Sequence, residues 1–143
     1  MPAPSPAVAF RQRTLMRDTM RRFVRRGSRP AISKLLAKVR PEDVADLMEG
    51  LTPAERLAVF RVLGIDYPDA AGDVLTELEP GPRNQLLEAL GADQVGAILA
   101  RVAVDDAVYL IEDLPDDFRE QVLAVAQLGR ESAVHEQLAF EED

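Results

Sequence analysis

Leu86-Leu87-Glu88-Ala89-Leu90, Ile98-Leu99-Ala100-Arg101-Val102 and Leu110-Ile111-Glu112-Asp113-Leu114 are one phrase written three times at 12-residue steps. The phrase is an apolar pair, two free positions and one more apolar residue. Working outward, it occurs seven times between Val44 and Ala126, ending at Leu51, Leu63, Leu78, Leu90, Val102, Leu114 and Ala126. The remaining pairs are Leu47 and Met48, Val59 and Phe60, Val74 and Leu75, and Val122 and Leu123; one step, from Leu63 to Leu78, is 15 residues long. Spacings of one, three and four place these side chains on one stripe of an α-helix, whereas a strand requires strict alternation. A helix of about nine residues is roughly 14 Å long and does not persist alone in water. Neighbours must cover each stripe. The expected fold is therefore all-α, a right-handed superhelix (α-solenoid-like) of short amphipathic helices with a repeat of about 12 residues and one continuous core.

Punctuation supports the division into units. Pro30, Pro41, Pro53, Pro68 and Pro115 fall at unit starts, where a missing N–H costs nothing. Thr52-Pro53-Ala54-Glu55 has the composition of a capping box. The long step contains Gly64-Ile65-Asp66-Tyr67-Pro68, which reads as a longer connection able to bend the stack. Gly27, Gly64 and Gly91 follow helical stretches and are expected in the left-handed conformation that ends a helix.

With 143 residues and 47% hydrophobic content the chain has enough apolar matter for a single domain. It lacks an 18-residue apolar run, so no transmembrane helix is expected, and the first residues lack the apolar core of a secretory signal. Zero cysteines exclude disulfides and thiolate metal sites. Charge divides the chain sharply. Residues 1–40 hold 11 Lys/Arg and one acid, a net +10, while residues 41–143 hold 6 and 24, a net −18. The organisation expected is a disordered start over 1–9, basic helices over 10–40 capping the stack, and an acidic helical-repeat region over 41–143.

The acidic carboxylates are interleaved with the apolar stripe, so they coat a folded surface that attracts cations, divalent ones included. A plain solvated face is the alternative. In the basic segment Met16, Met20, Phe23 and Val24 share one side, with Arg11, Arg13, Arg17, Arg21, Arg22, Arg25 and Arg26 around the rest. This amphipathic helix is read as a terminal cap in preference to a membrane-surface or nucleic-acid element.

No enzyme is expected. GxGxxG, GxxxxGK[ST] and HExxH are all missing, and there is no cysteine nucleophile. His135, the single histidine, sits beside Glu136 and reads as a surface residue. The acidic pairs Asp105-Asp106, Glu112-Asp113 and Asp116-Asp117 lie near helix starts, where capping and the helix dipole account for them.

The phrases Arg40-Pro-Glu-Asp-Val-Ala-Asp-Leu-Met-Glu-Gly-Leu51, Thr52-Pro-Ala-Glu-Arg-Leu-Ala-Val-Phe-Arg-Val-Leu63, Ala70-Ala-Gly-Asp-Val-Leu-Thr-Glu-Leu78 and Asp105-Asp-Ala-Val-Tyr-Leu-Ile-Glu-Asp-Leu114 resemble the N-terminal cytosolic domain of MgtE magnesium transporters and channels. The likeness runs from about residue 15 to 143, and the ending Leu138-Ala-Phe-Glu-Glu-Asp143 resembles the junction with that family's CBS domains. The resemblance implies a soluble Mg2+-sensing regulatory domain on the cytoplasmic face of the membrane. It would dock through Mg2+ on CBS domains of the same polypeptide and gate the parent transmembrane pore, in a homodimer formed by the full-length protein. Nucleic acid is not among its partners. By position the family's metal carboxylates fall at Asp73 and Asp105, and a further one falls at Tyr109, where Asp106 is the substitute. The rival reading is a Mg2+-independent interaction module, since the family's helices also resemble the middle region of the flagellar motor switch protein FliG.

Overall fold

Proline sets where most of the helices begin. In a computed structural model of the chain, describing the backbone of residues 5–141 and the side chains of residues 5–130, Pro6, Pro41, Pro53, Pro68 and Pro80 each start a helix, and Pro30 falls in the first turn of another. Among the described residues there are nine helices and no strand: α1 (Pro6–Arg25), α2 (Arg29–Leu36), α3 (Pro41–Glu49), α4 (Pro53–Asp66), α5 (Pro68–Glu77), α6 (Pro80–Leu90), α7 (Ala92–Leu99), α8 (Val104–Ile111) and α9 (Asp116–Glu141). Pro115 stands just ahead of α9, its carbonyl accepting from the Arg119 amide at 2.9 Å. The start of α1 is earlier than expected. Ser5 caps it by accepting from the Val8 amide at 3.3 Å, so residues 5–9 hold the cap and first turn. Residues 1–4, the rest of the expected disordered start, lie outside the described residues, as do the His135 side chain and residues 142–143 of the ending.

Burial follows the apolar phrase closely. Every pair and end residue of the seven copies is buried except Ile98 and Val102, which are half-buried, and Leu123, which is 44% exposed. Two expectations about the connections are corrected. Gly64 does not end a helix, since α4 continues through it to Asp66, whereas Gly27 (φ 64°) and Gly91 (φ 89°) take the left-handed conformation expected of them. The three extra residues of the long step therefore lengthen α4, leaving Tyr67 alone between it and α5. The following Pro68 excludes helical backbone at Tyr67, which takes φ −136°, ψ 62°. Likewise the last helix runs 26 residues, well past its phrase, because no proline or left-handed glycine intervenes.

A further correction concerns the single core. The chain divides into two compact units, residues 1–82 and 83–143, with the boundary inside α6. That boundary ignores the change of charge sign at residue 40. Within the first unit α1 packs on α2, α3 and α4, α2 packs on α4, and α5 packs on α3 and α4. Met20 is fully buried in it, while Met16, Phe23 and Val24 are half-buried. Packing groups the basic helices with acidic ones because apolar cover, and not like charge, decides which surfaces meet. Charge then reinforces the grouping. Arg21 Nε donates to both carboxylate oxygens of Glu55 (3.1 and 3.3 Å), and Arg29 Nη2 donates to Asp66 at 2.7 Å. The joint between α4 and α5 is tied to α2 by the Tyr67 hydroxyl, which donates to the Ser33 carbonyl at 3.0 Å and accepts from the Ser33 hydroxyl at 3.3 Å.

In the second unit α7 lies against α9. They approach closely because Gly96 has no side chain: an added Cβ would run into Val125 and stand 3.1 Å from the Val122 carbonyl. Gly96→Val should therefore destabilise by about 1–3 kcal/mol as an overpacked crossing, read by denaturant titration. Leu99→Ala, at a fully buried phrase position, should cost about 2–5 kcal/mol. Leu123→Ala, at the exposed phrase position, should stay within about 0.5 kcal/mol.

The expected capping box forms at α4. Thr52 Oγ1 accepts from the Glu55 amide at 3.2 Å, and Glu55 Oε1 accepts from the Thr52 amide at 2.9 Å. The Thr52 amide, with the Thr52 hydroxyl and the Arg21 guanidinium, holds the Glu55 carboxyl below the ordinary glutamate range against the opposing push of burial. A carboxylate with a lowered folded value contributes stability that is complete above its unfolded value, about 4.3, and is lost as pH falls through the folded one. Wild-type stability should thus fall more steeply below about pH 4.3 than that of Glu55→Gln, and Thr52→Ala should cost about 1 kcal/mol at neutral pH.

Candidate functional site

The carboxylates singled out by resemblance are all on the outer faces of helices. On α5, Ala71, Gly72, Val74 and Leu75 are buried, which turns Asp73 outward; its carbonyl accepts from the Thr76 hydroxyl at 2.7 Å. Asp69 and Glu77, one turn to either side, are exposed with it, so α5 carries a row of acids at spacing four. Asp105 and Asp106 share the first turn of α8 and are both exposed. The residue preceding α8 is Ala103, with no side-chain cap, so Asp105 is not the N-cap. It sits inside the first turn, where the positive end of the helix dipole favours an acid.

Asp105 and Asp106 are therefore brought together, whereas Asp73 belongs to the other unit. Among the described residues no group of three or more His, Cys, Asp or Glu is placed to hold a metal ion. The donor chemistry matches a hydrated hard cation touched by one or two carboxylates and does not match a complete protein cage.

Residue 109, where an acid was looked for, holds a tyrosine engaged elsewhere. The Arg83 guanidinium carbon lies 5.1 Å from the Tyr109 ring centroid, and Arg83 Nη2 is 3.9 Å from Asp113 Oδ2. Arg83 is 1% exposed, and its Nη1 has no hydrogen-bond partner. A buried cation held by a ring face, an exposed carboxylate and the Asn84 side-chain oxygen, which accepts from Nε at 3.4 Å, offsets part of the negative field of the α8 face. Sequence reading missed this residue, because an isolated arginine in an acidic stretch carries no periodic signal. One clue was present: Arg56, Arg83 and Arg119 each stand five residues after a phrase end.

A cleft of about 610 Å³ lies between α1 and α3 in the first unit. Phe10, Met16 and Leu47 line it together with Arg13, Arg17, Asp43 and Asp46. Its lining sets arginines of α1 beside aspartates of α3 around an apolar floor. No helix among the described residues is long and apolar enough to cross a membrane.

No curated protein matches the chain. Residues 39–143 match the family described as MgtE intracellular N domain, which covers α3 to α9 and every carboxylate considered above. The chain belongs to the MgtE intracellular N domain family, a regulatory part of a magnesium transporter and not an enzyme.

Proposed function

We propose that this domain senses Mg2+ for its transporter by docking its acidic faces on the CBS domains of the same polypeptide, and so gates the transmembrane pore. The observation that carries the reading is the outward placement of Asp73, Asp105 and Asp106 on helices whose other faces are buried. Such carboxylates repel a facing acidic surface over a Debye length of about 8 Å at physiological salt. Bound Mg2+ would supply bridging charge that keeps most of its water and needs one or two carboxylates from each side. The docked arrangement is then favoured only when the ion is abundant, which biases a two-state equilibrium. The 12-residue phrase is the unit that such a domain would stack as a right-handed superhelix.

A Mg2+-independent scaffold has one observation in its favour. Val104 (61%), Val108 (54%) and Tyr109 (46%) are exposed on α8, the helix that carries Asp105 and Asp106. An apolar patch of this kind suits a protein contact without an ion.

Calorimetry separates the two. On the 143-residue chain, Mg2+ binding should be shallow and salt-sensitive, because most of the coordination shell comes from water or the docking partner. In the full-length transporter, Asp73→Asn combined with Asp105→Asn and Asp106→Asn should leave the pore open at higher Mg2+. Micromolar, salt-insensitive binding to this chain would refute a shared site, and unchanged gating in the triple variant would favour the scaffold.

A further inference from the structure

Helix α1 lies ahead of residue 39, outside the stretch matched by the family, and its arginines fall into two groups. One group serves the fold. Arg21 pairs with Glu55 and donates from Nη2 to the Gly50 carbonyl at 2.9 Å, and Arg17 lies across Gly50. The other group faces away from the packing. Arg11, Leu15, Arg22 and Arg25 follow one another at helical spacings of four, seven and three, which places them on the side opposite the fully buried Met20. Arg26 adds a further exposed cation at the end of the helix.

These outward cations are not used internally. Arg11, Arg25 and Arg26 have no ion pair among the described residues, and Arg22 reaches only the Thr19 hydroxyl at 3.3 Å. One acid shares the face, Asp18, and Arg17 Nε lies 3.8 Å from it. Two large apolar side chains accompany the arginines: Leu15 is 65% exposed on the same face and Phe10 is 63% exposed at its edge. The last-turn arginines also suit the negative end of the helix dipole. That does not account for Arg11, in the second turn, or for the exposed Phe10 and Leu15.

We propose that the outer face of α1 binds an anionic lipid bilayer, with Arg11, Arg22, Arg25 and Arg26 against the headgroups and Phe10 and Leu15 dipping into the interface. Arginine around an exposed leucine and phenylalanine is the composition of an interfacial helix. Anionic headgroups are favoured over nucleic acid because the one exposed ring on α1, Phe10, stands at the edge of the face with no second exposed ring for stacking successive bases, and the exposed Leu15 is of no use against a phosphate backbone. The chain's net −8 does not forbid the contact. A helix is about 10–12 Å across, so the acids behind α1 lie more than a Debye length from the membrane plane, whereas the arginines lie within it. Each arginine near such a surface strengthens binding about fivefold. The contact is independent of the magnesium reading, since Asp73, Asp105 and Asp106 play no part in it.

The test is co-sedimentation of the 143-residue chain with vesicles of equal parts phosphatidylglycerol and phosphatidylcholine, and with phosphatidylcholine alone. Binding should be confined to the anionic vesicles and weaken steeply with salt. Arg11→Glu with Arg22→Glu and Arg25→Glu should lower it at least tenfold, and the corresponding triple lysine variant should retain it, because headgroup attraction requires charge and not the guanidinium shape. Phe10→Ser with Leu15→Ser should weaken it and leave the residual binding more salt-sensitive. Unchanged far-ultraviolet circular dichroism is expected for all three variants, since the substituted side chains point outward, and unchanged melting for the lysine and serine variants; the glutamate variant melts slightly lower because Arg22 and Arg25 lie at the negative end of the helix dipole. Equal binding to both vesicle types, or full binding by the triple glutamate variant, overturns the proposal. It is also overturned if the same arginines instead drive self-association in sedimentation velocity or retention of a short DNA duplex.

Discussion

A short helix ends in carbonyl groups that nothing within it can satisfy, and in this chain arginine side chains from later helices meet that need. Arg56 of α4, 5% exposed, donates from Nε to the Met48 carbonyl and from Nη2 to the Leu51 carbonyl, both at 3.0 Å. Arg119 of α9 reaches the Glu112 and Leu114 carbonyls at the end of α8, and Arg130 of α9 reaches those of Leu99 and Val102 after α7 at 2.8 and 2.9 Å. A guanidinium forks, so one side chain meets two carbonyls in fixed geometry. A hydrogen bond to a charged group contributes about 1.5–3 kcal/mol, and leaving such a carbonyl buried and unmet costs a similar amount. With helices as short as eight residues, these bonds and the buried stripe are what hold each unit's helices in register.

This use of arginine explains how a chain with so many acids keeps its faces negative. The cations nearest the core are spent on carbonyls and on buried pairing, as with Arg21 and Glu55, so they do not neutralise the outer carboxylates. Asp73, Asp105 and Asp106 stay exposed on α5 and α8. Arg83 is the exception. It occupies the same place relative to Leu78 as Arg56 does to Leu51, yet its charge is shared with Asp113 and the Tyr109 ring, beside the α8 acids. A buried arginine under an acidic helix moderates the negative field of that helix's outer face.

What the chain's sequence determined by itself was local. Helical periodicity was legible because side chains at one, three and four residues necessarily share a face, so Leu87, Leu99 and Leu110 were identifiable as core from spacing alone. The Thr52–Glu55 box and the proline starts were legible for the same reason, since a cap is decided by residues within one turn. Tertiary structure alone decided the rest. It buried Leu87 but left Leu123 exposed at the equivalent position of the phrase, extended α4 through Gly64, and put the basic α1 against the acidic α3. It also brought Arg83 under Tyr109, 26 positions later. The physical reason is the same in each case: a helix's own sequence states which face is apolar, but which neighbour covers that face, and which distant carbonyl or ring a long arginine reaches, depends on segments that meet only once the chain has packed.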